Sequence, residues 1–432
     1  MTEQTDMLET PPEFTEGQVN RGLRWSIAAS AFGVMHYRLL SPTSLLAVGI
    51  MLTLGVTKFQ IGVLAATMPL ARFAEIVASY QLQRTGRRRE IFTWTHIASR
   101  LLWVPFVLTF FIRGEFIAWR IPTIFFILLA SSLLLWTGSN AWLSWMGDLV
   151  PRNRRARYFG IRQIWEKGFE IAAGLCVGYY LLQDPPYEDL ILVVCLLVGF
   201  GIIDILIFRY LVPHPRLAPT RQRGQLKGLF TKAMHDRTYR KLIVFIGSWM
   251  FASGLMTPYM FMFVRGKAYL GMSYRDGYWV VAISGACLMG MSYFWGRVGD
   301  RWRPRRALAL CVVIGLFSPF GYVFATPAYT LPVYVSWAIG STAWAGIMVL
   351  SFQYAISMAP AKERSIYLAF QSAALGLVTA AAFLSADGIV WLLQWVSIPA
   401  GLCDLQLLFC LAGVGRALSL IPLSRMEDTH RS

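Results

Sequence analysis

The side chains best suited to chemistry lie where a soluble protein would rarely put them, inside long apolar runs. Arg72 and Glu75 stand three apart, and Arg162, Glu166 and Glu170 follow one another at four-residue steps, so each set shares one face of a helix. Arg38, beside His36 and Tyr37, lies in another apolar run, as do Arg100, four residues after His96, and Asp204. Arginine offers bidentate bonds to carboxylate or phosphate, which makes Arg38, Arg72 and Arg100 candidate anion ligands. Carboxyl groups taken out of water can exchange a proton near neutral pH, so Glu75, Glu166 and Glu170 are candidate proton carriers. The second half of the chain is poorer in such groups, with Gln353, Gln371, Asp387, Gln394 and Asp404. Its Trp249, Tyr259, Trp337, Trp344, Gln353 and Tyr354 are expected to contact the uncharged part of a substrate, Trp344 and Gln353 foremost.

These residues must be positioned by membrane helices. The chain has 432 residues, 56% hydrophobic and only 15% charged, with a mean hydropathy of +0.51. A soluble domain carries about 25% charged residues, so the composition is that of a polytopic membrane protein. A helix crosses the hydrocarbon core with about 20 apolar residues. Twelve such spans are expected: 25–52, 59–82, 91–112, 121–147, 158–182, 190–211, 241–264, 276–296, 306–325, 331–358, 366–393 and 398–421. Residues 1–24 are acidic and polar and read as a cytoplasmic tail rather than a secretory signal. Residues 25–211 form a first six-helix bundle, 212–240 a cytoplasmic central loop, 241–421 a second bundle and 422–432 a cytoplasmic C-terminal tail. Ser41-Pro42, Pro69 and Thr257-Pro258 are expected to break spans one, two and seven, as happens where backbone lines a cavity.

The net charge of +17 is topological. The tails and the even-numbered connections hold roughly 28 of the lysines and arginines and the opposite side roughly six, which makes both termini cytoplasmic. Nucleic acid is therefore not an expected partner. The six cysteines are scattered through apolar runs without metal-ligand spacing, so neither a metal nor a cofactor is expected. With no nucleotide-binding signature and no nucleophile–base constellation, the chain reads as neither an ATP-driven pump nor an enzyme.

Two motifs repeat between the halves. The stretch Gly296-Arg297-Val298-Gly299-Asp300-Arg301-Trp302-Arg303-Pro304-Arg305-Arg306 follows span eight, and Ser79-Tyr80-Gln81-Leu82-Gln83-Arg84-Thr85-Gly86-Arg87-Arg88-Arg89 follows span two in a degenerate form. Pro151, Arg155 and Tyr158 after span four recur with identical spacing as Pro360, Arg364 and Tyr367 after span ten. This pattern resembles the signature loops of the major facilitator superfamily of transporters, across about residues 20–425. The resemblance implies an all-α polytopic fold, with twelve transmembrane helices in two six-helix parallel pseudo-repeats. It implies a secondary active transporter of a small molecule working by alternating access. Proton coupling, a substrate bearing an anionic group, a monomer, and residence in the plasma membrane or a bacterial inner membrane are further expectations. It also implies a gating clasp near Gly296, Asp300 and Arg301 with Arg364. Asp148 with Arg155 stands for the first half, where Gln83 has replaced the usual aspartate. The glycine-proline signature of drug–proton antiporters is missing from 168–178. The eroded loop also fits a second reading, a non-transporting assembly factor or receptor on the same fold.

Overall fold

The computed structural model describes residues 14–151, 154–215, 234–358, 364–393, 395 and 402–426. The side chains of Ile76, Gln83, Ala156, Asp300, Ile356, Arg364, Ser365, Ile366 and Ala369 lie outside that description. Among the described residues ten helices are long and apolar enough to cross a bilayer. Two further traverses fall short of that measure, α1 because it is broken and α5 because Arg162, Glu166, Lys167 and Glu170 sit within it.

In chain order the first bundle is α1 (Glu16–Leu39, resumed as Leu45–Thr53), α2 (Lys58–Leu70, then Ala74–Thr85), α3 (Arg88–Leu101, then Trp103–Leu108), α4 (Ile117–Leu149), α5 (Arg155–Tyr180) and α6 (Tyr187–Leu211). The second is α7 (Arg237–Arg265), α8 (Tyr274–Arg301), α9 (Pro304–Leu316, then Ser318–Val323), α10 (Leu331–Met358), α11 (Arg364–Leu393) and α12 (Asp404–Leu418, then Leu420–Ser424). Together these make the twelve traverses expected, all helical, so the start of α1 and the end of α12 lie on one side. We call that side the termini end and the opposite side the far end.

Proline and the groups that answer it explain the breaks. α1 stops at Leu39 and restarts at Leu45, where Ser44 caps the new helix by accepting from the Ala47 N–H and donates to the Leu39 carbonyl at 2.5 Å. In α2, Pro69 precedes a 3-10 turn, Ala71–Phe73, that carries Arg72. Pro258, by contrast, sits inside one continuous helix, so the expected break in α7 is absent. The carbonyl that Pro258 leaves without its helical donor is that of Gly254, while Thr257 donates to the neighbouring Ser253 carbonyl at 2.9 Å. Pro319 cannot donate to the carbonyl four residues back, Gly315, and the freed oxygen accepts from Arg416 at 2.9 Å instead.

The two bundles are built alike. Within each, the first helix packs on the fifth and sixth, and the fourth packs on the second and third. The repeated tyrosines do equivalent work: Tyr158 bonds Ser26 on α1, and Tyr367 donates to Asp236 at the start of α7 at 3.3 Å. Arginine pins the first bundle at the termini end. Arg88 is fully buried and donates to Asp148 at 2.5 Å, to the Ser144 carbonyl at 3.0 Å and to the Pro215 carbonyl at 2.6 Å.

Between the bundles α2 packs against α11 and α5 against α8. The contact is tight at the far end. A Cβ added at Gly178 would lie 3.1 Å from Cα of Arg275, and one at Gly174 would meet the Tyr278 ring at 2.6 Å. Gly49 lies against Tyr274, and Gly277 against Leu45. Arg265 donates to the Gln183 carbonyl at 2.7 Å, Lys267 pairs with Asp184 at 2.9 Å and Lys58 with Asp404 at 2.6 Å. Following α5 and α8 toward the termini end, Gly160, Gly168, Gly290 and Gly296 have nothing within 4 Å of an added Cβ. The halves form a V, shut at the far end and open at the termini end.

Two outcomes follow. Arg88→Ala is expected to cost about 2–4 kcal/mol, by removing a charged donor from two carbonyls and Asp148, and to lower the detergent melting temperature. The exposed neighbour Arg87→Ala should leave it unchanged. Cysteines at Gly178 and Arg275 are expected to cross-link under mild oxidation. Cysteines at Gln163 and Ser292, on the same helices toward the termini end, should stay free and accept a maleimide.

Candidate functional site

The V brings together residues that the sequence scatters over four helices. On α5, Arg162 pairs with Glu166 at 2.8 Å and Lys167 with Glu170 at 2.6 Å, as the four- and three-residue spacings require. Arg38 of α1 approaches the same Glu170 oxygen, at 3.9 Å. That pair is loose. The Arg38 side chain keeps 55% of its surface accessible, against 14% for Glu170. Arg162 lies with its guanidinium 4.0 Å from the Trp142 ring centroid on α4, which holds its cation on an aromatic face.

On α2 the face shared by Arg72 and Glu75 turns toward the other half. Glu75 accepts from Ser372 of α11 at 3.3 Å. Arg72 fills the space beside Gly376 of α11, where an added Cβ would meet its Cδ at 3.2 Å. Its guanidinium lies 4.6 Å from the Trp136 ring centroid on α4, and Trp136 itself donates to the Met68 carbonyl at 3.1 Å. Lys167 reaches α8 in the same way, against Gly285. Small residues on the second half thus admit long charged side chains from the first. Among these residues four are cationic (Arg38, Arg72, Arg162, Lys167) and three carboxylate, so full ionisation leaves one unmatched positive charge. Its candidate carriers are Arg38, 3.9 Å from Glu170, and Arg72, which rests on the Trp136 ring instead of pairing closely with a carboxylate.

Arg100 lies elsewhere. It is almost fully buried inside the first bundle, with Asp204 of α6 at 4.0 Å and Gly201 close against both it and His36. It borders a small cavity of about 30 Å³ with His36, Tyr37, Ser99 and Ser131. That volume suits water better than a substrate. The second-half aromatics divide. Trp249 is buried between Gly315 of α9 and Arg416 of α12, in the bundle core. Trp337 packs on Phe261 with centroids 4.9 Å apart and the rings tilted by 35°, and Trp344 is half-buried. Gln353 lies against Gly299 near the termini end.

Of the gating set, Asp148 meets Arg88, and Arg155 donates to the Gly147 and Val150 carbonyls, capping the end of α4. Gly296 is open and Arg301 exposed. The side chains of Asp300 and Arg364 lie outside the described residues. Sequence reasoning missed Arg88 and Arg416. Arg88 is hidden in a run of three arginines, whereas Arg416 had a visible signal, an arginine in an apolar run with Pro319 leaving a carbonyl free on a neighbouring helix.

The match to known proteins accords with this geometry. The Major Facilitator Superfamily pattern matches residues 25–386. No curated protein sequence matches the chain. A mutant of the nucleoside transporter NupG shares the fold with a TM-score of 0.72 at 12% identity, covering 94% of this chain and 99% of that one. Unmutated NupG gives a TM-score of 0.67 at 13% identity, covering 95% and 100%. A bacterial homolog of the human lysosomal transporter Spinster, in an inward-facing and unoccupied conformation, gives 0.59 at 14% identity, covering 95% and 96%. With most of its length matched and the fold shared end to end, this chain belongs to the Major Facilitator Superfamily.

Proposed function

We propose that the protein is a secondary active transporter that moves a small molecule bearing an anionic group, by alternating access and with protons as coupling ions. The observation that carries the proposal is the loosely held Arg38, exposed beside Glu170 in a cluster with one cation in excess. An anionic substrate would complete that charge balance, and arginine would bind it bidentately. Glu75, Glu166 and Glu170 are the proton carriers of this reading, because each lies beside a cation whose engagement with substrate would alter the carboxylate's partner. The second half supplies small and neutral neighbours, Ser372, Gly376 and Gly285, and Trp344 is its aromatic contact for the substrate body.

The lysine and arginine asymmetry supports cytoplasmic termini, and a plasma membrane or bacterial inner membrane is the location in this reading. The open end of the V is then the cytoplasmic end. Asp148 with Arg155, and Gly296, Asp300 and Arg301 with Arg364, would close that end when the halves rock. A monomer suffices, since each half supplies part of one site.

The test is a ligand panel of nucleosides, phosphorylated sugars and small carboxylates, read by thermal shift and then by uptake into proteoliposomes with and without a proton gradient. Nucleosides enter the panel because NupG is a nucleoside transporter of the same fold. Binding is expected for an anionic member and its uptake should collapse with a protonophore. Arg38→Ala should weaken binding by about 10- to 100-fold, the worth of hydrogen bonds to a charged group, and leave the unliganded melting temperature unchanged. Binding of an anion that is indifferent to Arg38→Ala would contradict the site.

A further inference from the structure

Asp387 of α11 has no part in the cluster above, yet it sits at the seam between the halves. It is 2% exposed, accepts from the Tyr259 hydroxyl of α7 through Oδ1, and leaves Oδ2 without a hydrogen-bond partner. Across the seam it presses on Gly62 of α2 so closely that an added Cβ would overlap the carboxyl group. Gly62 lies one helical turn below Lys58, whose ammonium is engaged by Asp404, so Asp387 belongs to the far-end closure.

Charge is scarce around it. On α2 the neighbouring cation is Lys58, held at 2.6 Å by Asp404. On α7 the facing titratable group is Tyr259, and Tyr269 just beyond that helix donates to Asp404 at 3.2 Å. On α12 it is Asp404 itself, an anion. The helix α10 carries no charged residue, and Asp387 is the one charged residue in the described far-end half of α11. A carboxylate buried with one donor and no cation is strongly disfavoured, whereas the neutral acid leaves only a hydroxyl unsatisfied.

From this we infer that Asp387 is a proton-binding lock of the far-end gate. Closing the seam takes one proton from solvent on the far side onto Asp387. Opening it separates α2 from α11, admits water, and returns the proton to that same solvent. Low pH on the far side therefore favours the shut form. The inference rests on the alternating-access reading, but its test needs no substrate.

The experiment is a spin-label distance across the far end, between cysteines replacing the exposed Leu182 and Tyr329 in a cysteine-free background, as a function of pH. A single linked proton makes the closed-to-open ratio fall about tenfold per pH unit through the transition. Asp387→Asn, a fixed neutral amide, should stay shut with no pH slope. Glu115→Gln, an exposed far-end carboxyl outside both the cluster and the seam, should keep the wild-type slope. Should Asp387→Asn fail to fold, Gly62→Ala serves: its Cβ weakens the shut form, so the slope persists and the midpoint moves to lower pH. A wild-type ratio that ignores pH overturns the lock, as does a slope retained in Asp387→Asn or a midpoint unmoved in Gly62→Ala. Transport of a panel compound by a protein without the pH slope would reject the lock and leave the transporter reading standing.

Discussion

An ionised side chain in the hydrocarbon layer has no water to fall back on, at a cost of about 2.5–3.5 kcal/mol even on lenient scales. Much of this structure answers that constraint. Arg416 is hydrogen-bonded by a carbonyl at a helix break, Arg162 is paired with Glu166 and rests on an indole, and Lys167 is paired with Glu170. Breaks and arginines are complementary solutions, because proline frees an acceptor and guanidinium supplies several donors. The exceptions carry the functional argument. Arg38 is loosely paired and exposed beside Glu170, and Asp387 has a bare oxygen at the seam between the halves; Arg100, 4.0 Å from Asp204, is a further loose pair, enclosed in the first bundle.

The halves use charge and size asymmetrically. The first supplies arginines, a lysine and glutamates; the second supplies serine and glycines that let those side chains approach. At the far end the roles mix, since Tyr274 and Tyr278 of the second half fill space left by Gly49, Gly174 and Gly178 of the first. Glycine contacts of this sort bring helices close without polar ties, so the seam can part without leaving many hydrogen bonds unmade. The ion pairs Lys58–Asp404 and Lys267–Asp184 rim it, where water can take over their partners.

Local features were legible in the sequence and long-range ones were not. The breaks at Ser41-Pro42 and Pro69 follow from proline chemistry, and the equivalence of Tyr158 and Tyr367 follows from their matched spacing. Pro258 misled because one proline can be absorbed in a continuous helix when the neighbouring helices of a membrane bundle hold it in place. The pairings along α5 could be read from helical periodicity, but the meeting of Glu75 with Ser372 could not, since 297 residues separate them. Nor could spacing reveal that Arg100 is enclosed within one bundle while Arg38 is exposed beside Glu170.

In the proposed cycle two six-helix halves rock about a charged seam. Single-molecule energy transfer, measured across the far end and, separately, across the termini end in lipid nanodiscs, tests it most directly. On adding a transported compound the account expects the two distances to change in opposite senses, the far end widening as the termini end narrows. Transport with both ends widening together, or with the far end fixed, would contradict it.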